Sequence, residues 1–433
     1  MSAPGKPSRL LSAYRAATGM AEPLAGSLLN RRLKRGKEDG DRLPERLGRP
    51  GRVRPRGPIV WIHAASVGES LSVLPVIREI GLARPDATVL VTTGTVTSSR
   101  LMGERLPGNA FHQFVPLDTP GAVSAFLDYW KPSLALWVES ELWPNMLHEA
   151  HHRGIPLVLI NARMSDKSFR GWQRARAMAR ELIGSFSLCL AQDADVAEKL
   201  SLLGARHVEV PGNLKLVGDP LPFDANVLGG LRSIIGGRPV WLLASSHEGE
   251  EQLAAFTHRD LAARLPGLLT IIVPRHPQRG PQVAQALAPL FRVARRAAGE
   301  VPAPDTELYI ADTLGELGIF YRLAPLAVIG GSFVPHGGQN PLEPARLGVA
   351  VLSGPHIGNF RDIYRILVEA GGAEVLASND LLTQKTGELL SNELELSRRG
   401  QAAGRAAGTK QPLVRTMELL APYLRSLDAT ADA

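Results

Sequence analysis

The chain has a single cysteine in 433 residues, Cys189, which excludes an internal disulfide framework. It lies in the apolar run Ser187-Leu188-Cys189-Leu190-Ala191 and reads as a buried core residue. No set of Cys and His residues has zinc-ligand spacing, and His151-His152 reads as a solvated helix end. The chain also lacks a G-x-G-x-x-G after its first strand, a G-x-x-x-x-G-K-[ST] loop and a G-x-S-x-G elbow. These absences argue against a nicotinamide site, a P-loop and a serine-hydrolase nucleophile. A long hydrophobic run is missing too. Residues 10–30 hold Leu10, Leu11, Met20, Leu24, Leu28 and Leu29, but Arg15, Glu22 and Pro23 interrupt them. A spanning helix needs roughly 20 mostly apolar residues, so an interfacial amphipathic helix fits better. Nor is this a secretory signal, since no compact apolar core with a small-residue cleavage site follows the charges.

Acidic residues are scarce at the N-terminus. Residues 1–57 contain 14 Lys and Arg against 5 Asp and Glu, so this segment carries the whole positive excess of a chain whose net charge is +7. The basic run Arg31-Arg32-Leu33-Lys34-Arg35-Gly36-Lys37 suits anionic lipid headgroups or phosphates. Nucleic acid is not expected, because aromatic interleaving and the known binding modules are absent.

What is present is an alternation of strand and helix signals from Ile59 onward, as in βαβ units. Strands are expected near 59–65, 88–93, 111–115, 134–138, 156–160, 187–191 and 207–210. A second series is expected near 239–244, 268–273, 307–311, 326–330, 349–352 and 373–376. They are continuous apolar runs, suited to parallel strands covered on both faces. The pattern predicts an α/β protein of two doubly wound, Rossmann-like domains with a cleft between them. The expected divisions are a basic segment 1–57, a first domain 58–216, a Gly- and Pro-rich linker 217–238 and a second domain 239–427.

Polar residues gather where these strands end, the usual ligand side of an open α/β sheet. The most informative run is His336-Gly337-Gly338-Gln339-Asn340-Pro341-Leu342-Glu343-Pro344-Ala345 after the strand Leu326-Ala327-Val328-Ile329. Its glycines permit positive φ and close backbone approach. Pro341 suits a first helical turn, whose free N–H groups attract an anion, and Glu343 could hold a sugar hydroxyl. Glu69, at another strand-to-helix turn, can accept a proton from a substrate hydroxyl, although a dipole-complementing glutamate is the commoner use of that position. Glu139 and Glu141 flank Ser140 at a strand end, and spacing alone does not tell which faces the cleft. Lys215, in Asn213-Leu214-Lys215, could reach an anionic ligand from the hinge. Arg275, after Pro274 and before His276, offers a planar fork for phosphate or carboxylate. Gly315-Glu316-Leu317 opens a helix at a neighbouring strand end.

Together these segments resemble the 3-deoxy-D-manno-octulosonic acid (Kdo) transferases of lipopolysaccharide synthesis. The resemblance rests on His63-Ala64-Ala65-Ser66-Val67-Gly68-Glu69, Glu139-Ser140-Glu141-Leu142-Trp143-Pro144-Asn145, Asn161-Ala162-Arg163-Met164-Ser165 and Gly212-Asn213-Leu214-Lys215. It continues in Ser245-Ser246-His247-Glu248-Gly249-Glu250, Pro274-Arg275-His276, Gly330-Gly331-Ser332-Phe333 and Gly338-Gln339-Asn340-Pro341-Leu342-Glu343-Pro344. It spans about residues 31–425. The resemblance implies a GT-B glycosyltransferase fold, a CMP-Kdo donor as co-substrate, a lipid A precursor as acceptor, and no metal or other cofactor. It implies that Glu69 is the proton-accepting base and that Glu139 and Lys215 stabilise the transition state. It further implies that Pro274-Arg275, Gly315 to Leu317 and Asn340 to Glu343 bind the CMP moiety. The family usually shows a more hydrophobic N-terminal anchor. This chain is therefore expected on the cytoplasmic face of the bacterial inner membrane, held peripherally or weakly at an anionic surface.

Overall fold

The apolar runs fold as parallel strands. In the computed structural model, residues 7–427 are described, and they divide into two units: residues 7–217 with 410–427, and residues 218–409. In the first unit the strands are β1 (Ile59–His63), β2 (Thr88–Thr93), β3 (Ala110–Phe114), β4 (Leu134–Val138), β5 (Leu157–Ala162), β6 (Leu188–Ala191) and β7 (Val208–Glu209). They form one sheet in the order β3-β2-β1-β4-β5-β6-β7. Every residue of β1, β4 and β5 is buried, as strands covered by helices on both faces must be. Cys189 lies in β6, fully buried, and burial pushes its thiol up to about 12.

The second unit has β8 (Val240–Ser246), β9 (Leu269–Pro274), β10 (Val293–Arg295), β11 (Leu308–Ile310), β12 (Leu326–Ile329), β13 (Ala350–Ser353) and β14 (Ala373–Val375). Their order is β10-β11-β9-β8-β12-β13-β14. Thirteen of the fourteen strands coincide with the expected runs. The exception, β10, is three residues ending in Arg295, too short and too polar to declare itself.

Two boundaries differ from expectation. The stretch 217–238 is not a free linker, because all of it beyond Val217 belongs to the second unit. Its helix Ala225–Ile235 buries Leu228, Leu231 and Ile235. At the other end, residues 410–427 leave the second domain predicted to contain them. Leu413, Leu420, Leu424 and Leu427 recur on one helical face and pack with Val73, Val76 and Ile77 in the first unit's core.

The N-terminal segment is also built into the first unit. Leu11 is fully buried, Leu29 nearly so, and the Tyr14 hydroxyl donates to Asp118 at 3.0 Å. Part of its positive charge is neutralised within the fold. Glu38 is buried against Arg46 and Arg32, and Arg42 forms a two-point contact with Glu45. Leu10, Met20, Leu24 and Leu28 stay exposed, as do Arg31, Lys34, Arg35 and Lys37. Among the described residues no helix is long and apolar enough to cross a membrane.

Candidate active site

Strands β1 and β4 are neighbours in the first sheet although three helix-linked steps separate them in sequence. The chain reverses its direction of travel across the sheet between them, and ligands of open α/β sheets bind at that switch point. Glu69 follows β1 and Glu139 follows β4, so the two carboxylates belong to this crevice.

Glu69 sits in the first turn of the helix Val67–Ala83, capped by Ser66. The Ser66 hydroxyl donates to one carboxylate oxygen at 2.8 Å, and the Ala65 N–H donates to the other at 2.8 Å. This is close to a reciprocal capping box, and it fixes where the carboxylate points. Each oxygen keeps a lone pair for a substrate proton. Burial and then the charge of Glu139 push the Glu69 carboxyl up to about 7, against the pull of its two hydrogen bonds. A helix-capping glutamate in water would stay near its ordinary value. This one changes charge near neutral pH.

Glu139 adopts φ 60°, in the left-handed region, and is 7% exposed. Its carboxylate forms an ion pair with Lys215. Glu141 is only half-buried; burial and Glu139 raise its carboxyl. Of the two carboxylates, Glu139 is the one paired with Lys215.

Lys215 is held from behind. It lies in the turn Leu214–Leu216, where the Asn213 side chain accepts its N–H at 2.9 Å. The Asn161 side-chain oxygen accepts the Leu214 N–H at 2.9 Å, and Asn161 has φ 51° at the end of β5. Gln192 ties the two asparagines together, donating to Asn161 O at 3.0 Å and accepting from Asn213 at 3.1 Å. Sequence reasoning gave Asn161 and Gln192 no role, and nothing in their spacing marks them. Only the fold brings β5, the end of β6 and the 213–215 turn together.

In the second unit Pro274 ends β9 and the exposed Arg275 follows it, anchored by its N–H to Ser246 O at 3.0 Å. Arg275 acts electrostatically on both Glu343 and His247, which brings three strand ends together. Asn340 accepts the Leu342 N–H at 3.1 Å and lies 3.3 Å from Glu343 Oε1. Burial raises the Glu343 carboxyl, with Asn340, Arg346 and Arg275 opposing. The helix expected after Pro341 is a single turn, Leu342–Ala345, too short to carry much dipole. Its contribution is directed N–H groups. Gly315 has φ 81°, so its place before the helix Leu317–Leu323 requires glycine. Glu316 is clamped by Arg296, which directly follows β10, at 2.7 and 3.0 Å, so its carboxylate is already paired.

One residue organises this region without having been singled out. The buried Glu250 carboxylate accepts N–H groups from Gly331 (2.7 Å), Ser332 (3.1 Å), Phe333 (2.9 Å) and His247 (2.8 Å). It joins the loop after β8 to the glycine loop after β12. Gly330 must be glycine, since a Cβ there would meet Ser245 O at 2.4 Å.

Residues 41–217 match the family model described as 3-deoxy-D-manno-octulosonic-acid transferase (kdotransferase). The chain is 37% identical over 408 residues to a probable mitochondrial 3-deoxy-D-manno-octulosonic acid transferase of Arabidopsis thaliana, covering 90% of each protein. It is 35% identical over 399 residues to the 3-deoxy-D-manno-octulosonic acid transferase of Haemophilus influenzae, covering 88% of this chain and 91% of that one. Among solved structures, UDP-GlcNAc 2-epimerase of Neisseria meningitidis aligns with TM-score 0.56 at 14% identity, over 84% of this chain and all of that one. MurG of Acinetobacter baumannii aligns with TM-score 0.52 at 14% identity, over 85% of this chain and all of that one. These two support the GT-B fold of paired Rossmann-like domains. The sequence relatives carry the assignment further: the chain belongs to the 3-deoxy-D-manno-octulosonic acid transferase family of glycosyltransferases.

Proposed function

We propose that this enzyme transfers Kdo with inversion from CMP-Kdo to a hydroxyl of a lipid A precursor. The observation that carries the reading is Glu69: a buried carboxyl with a value of about 7, fixed by two hydrogen bonds beside the Glu139–Lys215 pair. In the proposed step Glu69 takes the proton of the acceptor hydroxyl. The oxygen attacks the anomeric carbon as the bond from that carbon to the CMP phosphate oxygen breaks, and the electron pair leaves with CMP. A positioned base contributes about 10²–10⁴-fold. Lys215 offers a cation to the carboxylate borne by the anomeric carbon, and its ion pair with Glu139 orients that ammonium. In the second unit Arg275, the N–H groups of 315–317 and the 340–343 turn would hold the CMP moiety, with Glu343 on a ribose hydroxyl.

Fixed cations and N–H groups supply the electrostatic stabilisation, so the reading needs no metal or other cofactor. Chelator should leave the rate unchanged. The exposed Leu10, Met20, Leu24 and Leu28 beside Arg31, Lys34, Arg35 and Lys37 support peripheral attachment to an anionic membrane, the cytoplasmic face of the inner membrane.

The test is mass spectrometry of lipid A precursor incubated with enzyme and CMP-Kdo. The expected product is heavier by whole Kdo units with wild type and absent at matched times with Glu69→Gln. Transfer from a UDP-sugar but not from CMP-Kdo would overturn the reading.

A further inference from the structure

In the second sheet the switch point lies between β8 and β12, which are adjacent in space. This is the counterpart of the β1–β4 crevice that holds Glu69 and Glu139. What stands at it is a pair of histidines. His247 follows β8, His336 follows β12, and their rings stack with centroids 4.2 Å apart and planes 21° apart. The Gln339 amide nitrogen lies 3.1 Å from His247 Nε2, so it donates to an unprotonated ring nitrogen. Against the backbone the ring is close-packed: a Cβ on Gly331 would come within 3.2 Å of its Cδ2. The buried Glu250 holds the loops carrying both rings by their N–H groups.

We propose that the His247–His336 stack is an anion subsite of the donor, accepting one proton from solvent as the anion binds. The proposal rests on the donor reading above and adds two residues to it. The groups facing His247 set its charge. They are His336 on the 330–345 loop, His276 and Arg275 after β9, and Arg279, which is itself held by Glu251 at 2.6 Å. Of the acidic groups on its own loop, Glu250 has its oxygens taken up by N–H donors, Glu251 is paired with Arg279, and Glu248 is exposed. Burial first, and then these neighbouring rings and guanidinium groups, hold the His247 imidazole below its ordinary range. Two stacked rings cannot both be charged cheaply, and an arriving phosphate or carboxylate oxygen supplies the missing countercharge. Affinity for the anion must then rise as the pH falls, because ligand and proton stabilise each other. The three rings do not make a metal site: His247 and His276 are 6.4 Å apart by centroid, and no described group of three ligating residues could hold an ion.

The test is calorimetry on the full-length protein in two buffers of different ionisation enthalpy. The probes are cytidine 5′-(methyl phosphate), whose diester has no second proton to titrate near pH 6, cytidine as the uncharged control, and the methyl glycoside of Kdo. Proton uptake is expected with a charged probe and not with cytidine. Uptake with the phosphodiester assigns the subsite to the phosphate, and uptake with the glycoside alone assigns it to the sugar carboxylate. His247→Gln and His336→Gln should each abolish the uptake and weaken that probe by about 10- to 100-fold, the range of one hydrogen bond to a charged group. Both side chains reach solvent, so the variants keep the fold, which circular dichroism checks. Tight phosphodiester binding with no proton uptake, or with uptake intact in both variants, overturns this proposal and leaves the donor assignment standing. If neither charged probe binds, the donor assignment falls and the subsite falls with it.

Discussion

Asn161 Oδ1 accepts the Leu214 N–H at 2.9 Å, and this bond sets where the next residue, Lys215, presents its ammonium to Glu139. Asn161 itself sits at φ 51°, a conformation that asparagine tolerates better than most side chains. Asn161→Ala removes the bond and keeps the strain. It should cost about 1–3 kcal/mol of stability by leaving a buried N–H unpaired. It should also lower kcat more than it raises the KM for donor, because a misplaced Lys215 affects the step and not the initial encounter. Equal losses in kcat/KM through KM alone would remove Asn161 from a positioning role.

Glu69 gives a prediction in which activity and stability move in opposite directions. Its folded value of about 7 lies above the ordinary 4.5. A raised carboxyl binds its proton more tightly in the folded state. The associated stability is complete below about pH 4.5 and is lost as the pH rises through about 7. Above pH 7 the ionised group therefore costs at most about 3 kcal/mol, at roughly 1.4 kcal/mol per pH unit. Glu69→Gln should abolish most turnover and raise the melting temperature above pH 7, with the gain vanishing below about pH 4.5. In the wild type kcat/KM should climb with pH and level off above about 7. A flat profile from pH 5.5 to 8 would be evidence against Glu69 as the base.

Glu250 offers a test of the glycine loop. A glutamine there keeps the shape but replaces one acceptor oxygen with an NH₂ group aimed at N–H donors. Each oxygen accepts two of the four donors, so two bonds must be lost whichever oxygen is replaced. Glu250→Gln is expected to destabilise the protein by about 1–3 kcal/mol per orphaned N–H and to weaken nucleotide binding through the displaced loop. Denaturant melts and CMP titration check both parts. A variant with native stability would show that the loop holds its shape without the carboxylate.

The architecture was largely legible because its strands are pure apolar runs ending in polar turns. β1, β4, β5, β8 and β12 could be placed to within a residue or two at most ends. The candidate site residues could be named for the same reason: Glu69, Glu139 and Arg275 follow strands, and Lys215 lies in the turn that closes the first unit's series. The supports were not legible. The farthest bonds of Gln192, Asn161 and Glu250 reach 31, 53 and 83 positions along the chain, and only the folded sheet reveals such partners. Spacing could not orient Glu139 and Glu141 because Glu139 adopts a left-handed φ, which breaks strand alternation at that residue. The destination of residues 410–427 was hidden for a different reason. An amphipathic helix shows that it must bury a face, but not against which domain.

The N-terminal helices carry two sets of apolar residues with different duties, and they can be separated by mutation. Leu11 and Leu29 are buried in the first unit, and Tyr14 bonds to Asp118. Deleting residues 1–30 removes all three. Burial of one leucine contributes about 1.5–3 kcal/mol, so the truncated protein should melt at a clearly lower temperature. Leu10, Met20, Leu24 and Leu28 are 50–77% exposed, and their replacement by serine should leave the melt within about 0.5 kcal/mol of wild type. The same substitutions remove the apolar face available to a bilayer, next to basic residues each worth about 1 kcal/mol at an anionic surface. In vesicle flotation the fourfold serine variant should bind anionic vesicles weakly. Wild type should bind at low salt and be largely released at high salt, as screening shortens the electrostatic range. Undiminished flotation of the serine variant would assign attachment to charge alone. Release of wild type only by detergent would show an anchor stronger than an interfacial helix provides.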